Sequence, residues 1–420
     1  MTADRAAFAV LGATGFTGRA IVGYLLKRIS APLKWIIAGR DVQALTEMAA
    51  EFAQGYAPEI VEIEDLGLAD IGRLTSQTEW LINAAGPYAH HGDRVIESCL
   101  GSGTHYIDIS GEVDVIGDWI HLFHDRAVAA NIQIIPAAGF EALPFDLMTR
   151  AAVERMAADH PVTQVHVDVL LSYRGLSWVN FSQFASSGTV ATALETLVRN
   201  PSKQRLIDPS SLIANDLAQF SRDRNRLDLS AKYDHEYQVW RAPLVPGPFI
   251  NPAVIHRSNA LLNDLGEGYG QGFSYEESMN VSSIAPWPLG QSVLANTLAS
   301  SAREFLAALG EDSVRRQSTL ALWRSLAEQP SRVTSKSLDA VGYQLDVVAS
   351  HHGTPKVRAR MYGTGHPGYR STGNIIGEIA LGFAKSRGKV RRGGVLTPAV
   401  GLEKDILARL NKAGISCCWL

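Results

Sequence analysis

One stretch near the start of the chain constrains the fold most strongly. An apolar run, residues 8–11, ends at three glycines spaced Gly-x-x-Gly-x-x-Gly, which are Gly12, Gly15 and Gly18. The next residues, 19–27, carry apolar side chains at helical spacing. A strand, a glycine turn and a helix in this order form the beginning of a dinucleotide-binding βαβ unit. In such a unit the glycines let the backbone approach a pyrophosphate, which binds at the helix N-terminus.

The pattern after this stretch supports the same interpretation. Further apolar runs alternate with segments of helical periodicity, and they lie at about residues 33–40, 60–65, 79–85, 105–110 and 132–138. This alternation predicts right-handed crossovers and a parallel, doubly wound sheet. We therefore expect an α/β fold whose first domain, residues 1–146, is a Rossmann-type dinucleotide-binding domain.

Beyond residue 146 the pattern changes. An alternating run at 164–171 and runs at 333–348 and 356–362 predict a second sheet, mixed or mostly antiparallel. Four prolines between Pro243 and Pro252 predict an extended segment, because proline disrupts a helix interior. Helical periodicity returns from about residue 371, with a last helix expected from about residue 402.

Composition narrows the class of protein. A length of 420 residues favours two domains, because a single core rarely grows beyond about 250–300 residues. A net charge of −3 gives no electrostatic basis for binding nucleic acid, and no uncharged apolar run reaches the roughly 18 residues of a membrane span. Cys99, Cys417 and Cys418 lack the spacing of a disulfide framework or a metal motif, which fits a reducing compartment. We expect a cytoplasmic protein, and the basic residues 385–392 leave a peripheral membrane contact open.

The end of the second predicted strand favours NADP(H) over NAD(H). NAD enzymes place an acidic residue there, about 20 residues past the glycines, to bind the ribose 2′-hydroxyl. This chain has Gly39 and Arg40 at that place, and a guanidinium would pair with the 2′-phosphate of NADP. Asp41 would favour NAD, but its position before a helical pattern also suits a helix N-cap.

The end of the fourth predicted strand supplies small residues on the cofactor side of the sheet. Residues 83–87, Asn-Ala-Ala-Gly-Pro, would let the nicotinamide ribose approach the backbone, and the alternative is a plain Gly-Pro turn. The residues predicted to contact the cofactor are Gly12, Thr14, Gly15, Phe16, Thr17, Gly18, Gly39, Arg40, Asp65, Asn83, Ala84, Ala85, Gly86 and Pro87.

The fifth predicted strand brings acid–base groups to the same edge. Tyr106, Asp108 and Ser110 share one face through the two-residue repeat, and Glu112 follows them. We predict Tyr88, Asp108 and Glu112 as candidate catalytic residues, with Tyr88 as the first choice of proton donor. The alternative for each is a hydrogen-bonded strand end that only shapes the pocket.

Other classes of chemistry lack their motifs. The chain has no Gly-x-Ser-x-Gly elbow for acyl transfer. No tyrosine is followed four residues later by lysine, the pair that short-chain dehydrogenases use as proton donor. His121 and His124 lie one turn after Asp118, but a solvated helix face explains this spacing better than a metal site. We expect no metal.

Several motifs together resemble a known family. Residues 12–18 (Gly-Ala-Thr-Gly-Phe-Thr-Gly), 86–88 (Gly-Pro-Tyr), 103–112 (Gly-Thr-His-Tyr-Ile-Asp-Ile-Ser-Gly-Glu) and 139–146 (Gly-Phe-Glu-Ala-Leu-Pro-Phe-Asp) resemble the saccharopine dehydrogenase-like oxidoreductases. The resemblance is closer to the trans-acting enoyl reductases, a branch found with mycobacterial polyketide-lipid assembly. It extends over most of the chain, through residues 187–189, 255–260, 275–276, 366–369 and 393–398.

This resemblance implies an architecture and an activity. The Rossmann domain would be completed by C-terminal helices at 371–420, with a second α/β domain for substrate binding or dimerisation inserted at 147–370. The cofactor would be NADP(H), and the reaction would reduce an enoyl or related group of a lipid- or polyketide-like small molecule. A homodimer stays open. So do imine chemistry on an amino acid, with Arg174 and Arg257 as a carboxylate clamp, and a non-catalytic, lipid-associated scaffold.

One departure from the family pattern affects the predicted pocket. The family usually has Asp-Ser-Ile-Pro-Ser-Asp after Gly-Phe, where this chain has Glu-Ala-Leu-Pro-Phe-Asp at 141–146. Two hydroxyls are lost and Phe145 is gained. We therefore expect a less polar pocket than in other members.

Overall fold

The computed structural model describes residues 5–52, 56–158, 164–176, 187–214, 216–285, 287–310, 314–328, 339–386 and 390–420. Contacts between Cα atoms divide the chain into two compact units. Unit 1 comprises Met1–Gly111, Val115–Phe140 and Gly368–Gly414, and unit 2 comprises Glu112–Asp114, Glu141–Pro367 and Ile415–Leu420. The main boundary therefore follows Phe140, six residues before the predicted one.

The helices and strands follow in chain order. The first part contains β1 (Ala9–Leu11), α1 (Phe16–Arg28), β2 (Ile36–Gly39), α2 (Val42–Ala50), β3 (Glu59–Glu62), α3 (Leu68–Ser76), β4 (Trp80–Asn83), α4 (Gly92–Ser102), β5 (His105–Asp108), α5 (Val113–Ala129) and β6 (Gln133–Ile135). The middle part contains α6 (Leu143–Ala157), β7 (Val165–Arg174), α7 (Ser187–Arg199), α8 (Lys203–Ile207), α9 (Leu217–Arg224), β8 (Lys232–Asp234), β9 (Val239–Ala242), α10 (Asn251–Asn263), β10 (Ser274–Asn280), α11 (Pro288–Ala307), α12 (Val314–Ala327), β11 (Gly342–His351) and β12 (Thr354–Thr364). The last part contains α13 (Thr372–Ser386), β13 (Gly394–Val395), α14 (Pro398–Gly401), α15 (Ile406–Leu410) and β14 (Ile415–Trp419).

Unit 1 is built on a parallel sheet with the strand order β13-β6-β5-β4-β1-β2-β3. The central strands β1, β2 and β4 are buried along their whole length, as expected of a sheet covered by helices on both faces. β1 lies between β2 and β4, so the direction of winding reverses there. The crevice at such a reversal is where doubly wound sheets bind their ligands. The predicted Rossmann-type α/β fold is confirmed.

Helix α13 packs on α1, the helix that follows the glycine loop. The Tyr24 hydroxyl on α1 donates to Glu378 Oε1 on α13 at 2.7 Å, and Arg28 forms an ion pair with the same oxygen at 3.0 Å. A long-range contact therefore fixes the helix that would receive the pyrophosphate.

Unit 2 is built on a mixed sheet with the order β14-β12-β11-β7-β10-β9-β8, in which β7 and β10 run parallel and the other neighbours antiparallel. Along β7 the alternating residues Val165, Val167 and Val169 are buried, so this strand has one apolar face. Helices α6 and α10 pack on each other, and the Ser258 hydroxyl donates to Asp146 Oδ1 at 2.6 Å. Two of the motif segments, 139–146 and 255–260, thus contribute residues to this buried hydrogen bond.

The structure corrects several local predictions. The last helix, expected from about residue 402, is present but short: α15 covers Ile406–Leu410. β14 follows it, and its pairing with β12 places the chain end in the second sheet. The proline-rich segment is not wholly extended, because Pro252 lies in the first turn of α10, where a missing N–H costs little. β13, only two residues long, was not predicted and extends the first sheet. Part of the strand predicted at 333–348 lies outside the described residues, and β11 begins at Gly342.

Candidate functional site

The loop between β1 and α1 has the geometry that close approach of a pyrophosphate requires. Gly12 has a φ of +78°, and a Cβ at this position would lie 2.9 Å from the backbone nitrogen of Ala85. A Cβ at Gly18 would collide with the carbonyl oxygen of Gly12. Only glycine fits these two positions, so the glycine loop lies directly against the chain that follows β4.

The N-terminus of α1 is available to an anion. Gly15 precedes the helix and supplies no side-chain cap, and the first turn (Phe16, Thr17 and Gly18) contains no acidic residue. Uncapped N–H groups and the positive end of the helix dipole favour a phosphate at this point. The Phe16 ring, 43% exposed, packs edge-on against Tyr369 with 4.8 Å between centroids. Thr14 lies against Gly39, its hydroxyl 3.6 Å from where a Cβ would stand.

The acidic and basic residues after β2 have different partners. The Asp41 carboxylate accepts a hydrogen bond from the Ala44 N–H at 2.9 Å and caps α2, as one of the two interpretations of this residue predicted. Arg40 is exposed, and no hydrogen bond or ion pair engages it within the described part of the chain. Arg40 is therefore free to bind a phosphate. Asp65 follows β3, is exposed, and accepts from the Gly67 N–H at 2.5 Å.

The turn after β4 is held by its own side chains. Asn83 Oδ1 accepts from the Ala85 N–H at 3.0 Å, and the Tyr88 hydroxyl donates to the Asn83 carbonyl at 3.0 Å. His91 Nε2 donates to the Ala85 carbonyl at 2.6 Å, and burial lowers the pKa of His91, which favours the neutral ring. Sequence reasoning missed His91, because neither its neighbour His90 nor its spacing indicates a backbone partner. The small residues Ala84, Ala85, Gly86 and Pro87 thus have a fixed backbone beside Gly12.

A buried hydrogen-bond network joins the ends of β4 and β5. Asn83 Nδ2 donates to the Tyr106 hydroxyl at 3.2 Å, which donates to Asp108 Oδ2 at 2.7 Å. Asp108 Oδ1 accepts from the Ser110 N–H at 2.9 Å, the Ser110 hydroxyl at 2.7 Å and the Ala137 N–H at 3.1 Å. Burial raises the pKa of Asp108 to about 6, although these hydrogen bonds favour the ionised form. Asp108 therefore fixes three segments, and its role as a proton donor stays a prediction.

Glu112 lies in unit 2 and has a cationic partner. Its carboxylate is 3.6 Å from Arg199, which also pairs with Asp114 at 2.6 Å. The side chain of Glu112 is only 2% exposed. No sequence pattern indicates this contact, because Arg199 lies on α7, far along the chain. A catalytic role for Glu112 stays a prediction.

The described ranges contain neither a cluster of metal ligands nor a helix that could span a membrane. No cluster of three or more His, Cys, Asp or Glu side chains there could hold a metal ion. His124, considered and discounted as a ligand, accepts through Nδ1 from the Val395 N–H at 3.1 Å. None of the helices that the structure describes has the length and apolar character to cross a bilayer. Residues 387–389 of the basic segment lie outside the described residues.

Part of the chain is similar to a known family of NADP-binding domains. Residues 8–135 match the model of the saccharopine dehydrogenase NADP binding domain. The chain is similar to that domain from the residue before β1 to the end of β6. Its cofactor is accordingly NADP(H), as predicted.

The similarity to curated relatives extends over nearly the full length of the chain. A relative from Mycobacterium tuberculosis is 28% identical over 436 residues, covering 99% of this chain and 98% of the relative. The trans-acting enoyl reductase of Mycobacterium ulcerans is 28% identical over 422 residues, covering 96% and 95%. The apo saccharopine dehydrogenase (L-Glu forming) of Saccharomyces cerevisiae is similar in fold, with a TM-score of 0.51, 13% identity, and coverage of 98% of this chain and 99% of that one.

Proposed function

We propose that this oxidoreductase uses NADPH to reduce an enoyl or related unsaturated group of a lipid- or polyketide-like substrate. The similarity to trans-acting enoyl reductases carries the proposal, because it covers 96% of this chain and is not confined to the NADP-binding domain. Residues outside that domain therefore match the relatives too, and we propose that unit 2 contributes to substrate selection.

The residues of unit 1 fit the proposed cofactor. The glycine loop leaves room that a Cβ would fill, α1 presents an uncapped N-terminus, and Arg40 has no partner among the described residues. In this proposal the loop and α1 hold the pyrophosphate, Arg40 pairs with the 2′-phosphate, and Asn83–Pro87 border the nicotinamide ribose. Bound NADPH supplies the hydride.

The substrate also needs a proton. Hydride addition to an activated C=C bond moves the π electrons towards the carbonyl and leaves an enolate, which a pocket acid must protonate. We propose Tyr88 for this step. Its hydroxyl donates to the Asn83 carbonyl at 3.0 Å, which helps to fix the ring, and the O–H would rotate from this carbonyl towards the substrate.

Imine reduction receives less support from the side chains. Imine chemistry on an amino acid would need a clamp for the substrate carboxylate, for which Arg174 and Arg257 are the candidates. Arg257 is 5% exposed and donates through Nη1 to the Leu212 carbonyl at 2.7 Å, while the Arg174 guanidinium lies 5.3 Å from the centre of the Tyr362 ring. A guanidinium bonded to the backbone has fewer N–H groups to offer a ligand.

The test is NADPH oxidation followed by absorbance, with enoyl thioesters, their saturated counterparts and imines as substrates. We expect oxidation with enoyl thioesters and none with the saturated compounds. Turnover of imines alone would replace the proposal with imine chemistry. Tight NADPH binding without turnover of any substrate would indicate the scaffold.

A further inference from the structure

Unit 2 contains a cavity that the proposed reduction does not use. Its volume is about 480 Å³, and it lies beside β10 and the first turn of α10. Apolar side chains form part of its wall, among them Leu206, Leu227 and Phe249. The cavity also contacts Tyr275 and Glu277 on β10, which supply its acidic side.

The Glu277 carboxylate is held asymmetrically. Oε2 accepts from Asn251 Nδ2 and from the Tyr275 hydroxyl, both at 2.7 Å. Oε1 is buried and has no hydrogen-bond partner in the described part of the chain. A Cβ on Gly247 would lie 2.5 Å from Oε1, so the backbone approaches this oxygen closely without donating to it. One carboxylate oxygen is thus fixed and the other lacks a donor.

The neighbouring carboxylates around the cavity each have a cation. Glu276 pairs with Lys232 at 2.9 Å, and Lys232 also pairs with Asp228 at 2.8 Å. Asp208 pairs with Arg222 at 2.8 Å. For Glu277, no lysine, arginine or histidine within the described ranges forms an ion pair. Its two hydrogen bonds come from neutral groups, which leaves the charge uncompensated.

A second carboxyl group acts on Glu277. Glu141 lies near enough to repel it, and burial together with this repulsion raises the pKa of Glu277 to about 7. Burial also raises the pKa of Glu141 to about 7. An uncompensated carboxylate in such surroundings gains most from a ligand that brings a positive charge and an N–H donor.

We propose that this cavity binds a ligand with a protonated amine, which donates to Oε1 of Glu277, and an apolar body that packs against Phe249 and Leu227. The amine supplies the missing hydrogen bond and the missing charge together. The site is independent of the proposed reduction, because it involves no residue assigned to NADP(H) or to proton transfer. Its ligand is either a substrate or an effector, and both have the same recognition chemistry.

Other ionisable groups face the cavity and bear on the test. Arg224 and Arg226 are exposed at its wall and would attract an anion instead. His166 also contacts the cavity and is hydrogen-bonded to the Ser274 hydroxyl at 2.9 Å. His166 is also ionisable, so the comparison with Glu277→Gln separates its effect on binding from that of Glu277.

The experiment titrates the full-length chain calorimetrically with hexylamine, 1-hexanol and hexanoate. We expect hexylamine to bind best and Glu277→Gln to weaken it by about tenfold or more, since hydrogen bonds to charged groups are the strong ones. Glu276→Gln is the matched control: the same substitution at the adjacent residue, whose charge Lys232 already compensates, should change binding less than about twofold. Hexylamine binding to the unmodified chain should strengthen from pH 6 to pH 8, as Glu277 loses its proton, and Glu277→Gln should remove this gain.

Four results would overturn the proposal. Tighter binding of hexanoate would show that Arg224 and Arg226 dominate the site. Equal binding of hexanol and hexylamine would show a purely apolar pocket, and equal losses in Glu276→Gln and Glu277→Gln would show a general charge effect. Absence of hexylamine binding to the folded, unmodified chain would remove the site. If Glu277→Gln does not fold, the comparison of hexylamine, 1-hexanol and hexanoate on the unmodified chain still decides between these outcomes.

Discussion

Replacing Arg40 with alanine should reduce the protein's preference for NADPH over NADH. Arg40 follows β2, is exposed, and has no partner among the described residues, while Asp41 is occupied as the cap of α2. The guanidinium is therefore the group that we expect on the 2′-phosphate, which NADH lacks. Arg40→Ala should weaken NADPH and leave NADH nearly unchanged.

The magnitude follows from the exposure of Arg40. A hydrogen bond to a charged group contributes about 1.5–3 kcal/mol, and solvent screening of an exposed pair favours the lower end. A loss of about 1.5 kcal/mol corresponds to roughly a tenfold rise in Kd for NADPH. The loss should shrink at high salt, because screening weakens exposed ion pairs.

The assay is a fluorescence titration of the reduced nicotinamide with both cofactors at low and high salt. Arg126→Ala is the control, because it removes an equally exposed arginine of unit 1 that pairs with Glu97 at 2.6 Å. Asp41→Ala should cost about 1 kcal/mol of stability through the lost cap without weakening NADPH. Equal weakening of NADPH and NADH by Arg40→Ala, or a specific loss of NADH in Asp41→Ala, would refute the assignment.

Three further predictions concern the glycine loop and the network beside it. Gly12→Ala should destabilise the fold by about 1–3 kcal/mol and abolish NADPH binding, because its Cβ would collide with the backbone. Gly23→Ala, in open space on α1, should stabilise the fold by up to about 1 kcal/mol. Denaturant unfolding would measure the stability of the two variants, and equal effects would contradict the steric argument. Tyr88→Phe should lower turnover by about 100-fold or more while NADPH affinity stays within about twofold, and unchanged turnover would exclude Tyr88 as the proton donor. Because burial raises the pKa of Asp108 to about 6, the folded chain keeps a proton that the unfolded chain releases near pH 4. This contribution to stability is present at pH 4 and is lost as the pH rises through about 6. Denaturant unfolding should therefore show the unmodified chain losing about 2 kcal/mol of stability relative to Asp108→Asn between pH 4 and pH 7, and a constant difference would contradict the argument.

The parts of unit 1 that depend on short-range spacing could be predicted from the sequence. The glycine loop lies between β1 and α1 as its spacing indicates. The two-residue repeat predicted that Tyr106 and Asp108 share a face, and their side chains are hydrogen-bonded at 2.7 Å. In both cases the relevant partners lie within a few residues of each other, where the local backbone geometry alone decides the contact.

Contacts between distant segments could not be predicted in this way. Glu112 looked like a pocket residue because it follows β5, but its cation, Arg199, comes from α7. The end of the chain looked helical, yet pairing with β12 satisfies the backbone of β14 in a sheet. Pro252 was treated as a helix breaker, although a proline in a first turn loses no intrahelical bond. In each case a tertiary partner, or the position within the element, determines what the residue does, and a local rule does not reveal it.

The neighbouring residues Glu276 and Glu277 show what the sequence cannot predict at a candidate ligand site. Alternation along a strand assigns them to opposite faces but cannot tell which charge is compensated. Lys232 on β8 compensates the charge of Glu276. Glu277 is instead held by two neutral donors, the side-chain amide of Asn251 on α10 and the Tyr275 hydroxyl. Two identical carboxylates therefore differ in chemistry only because of what distant segments bring to them. A ligand site of this kind becomes visible only after the donors and charges around each carboxylate have been assigned in three dimensions.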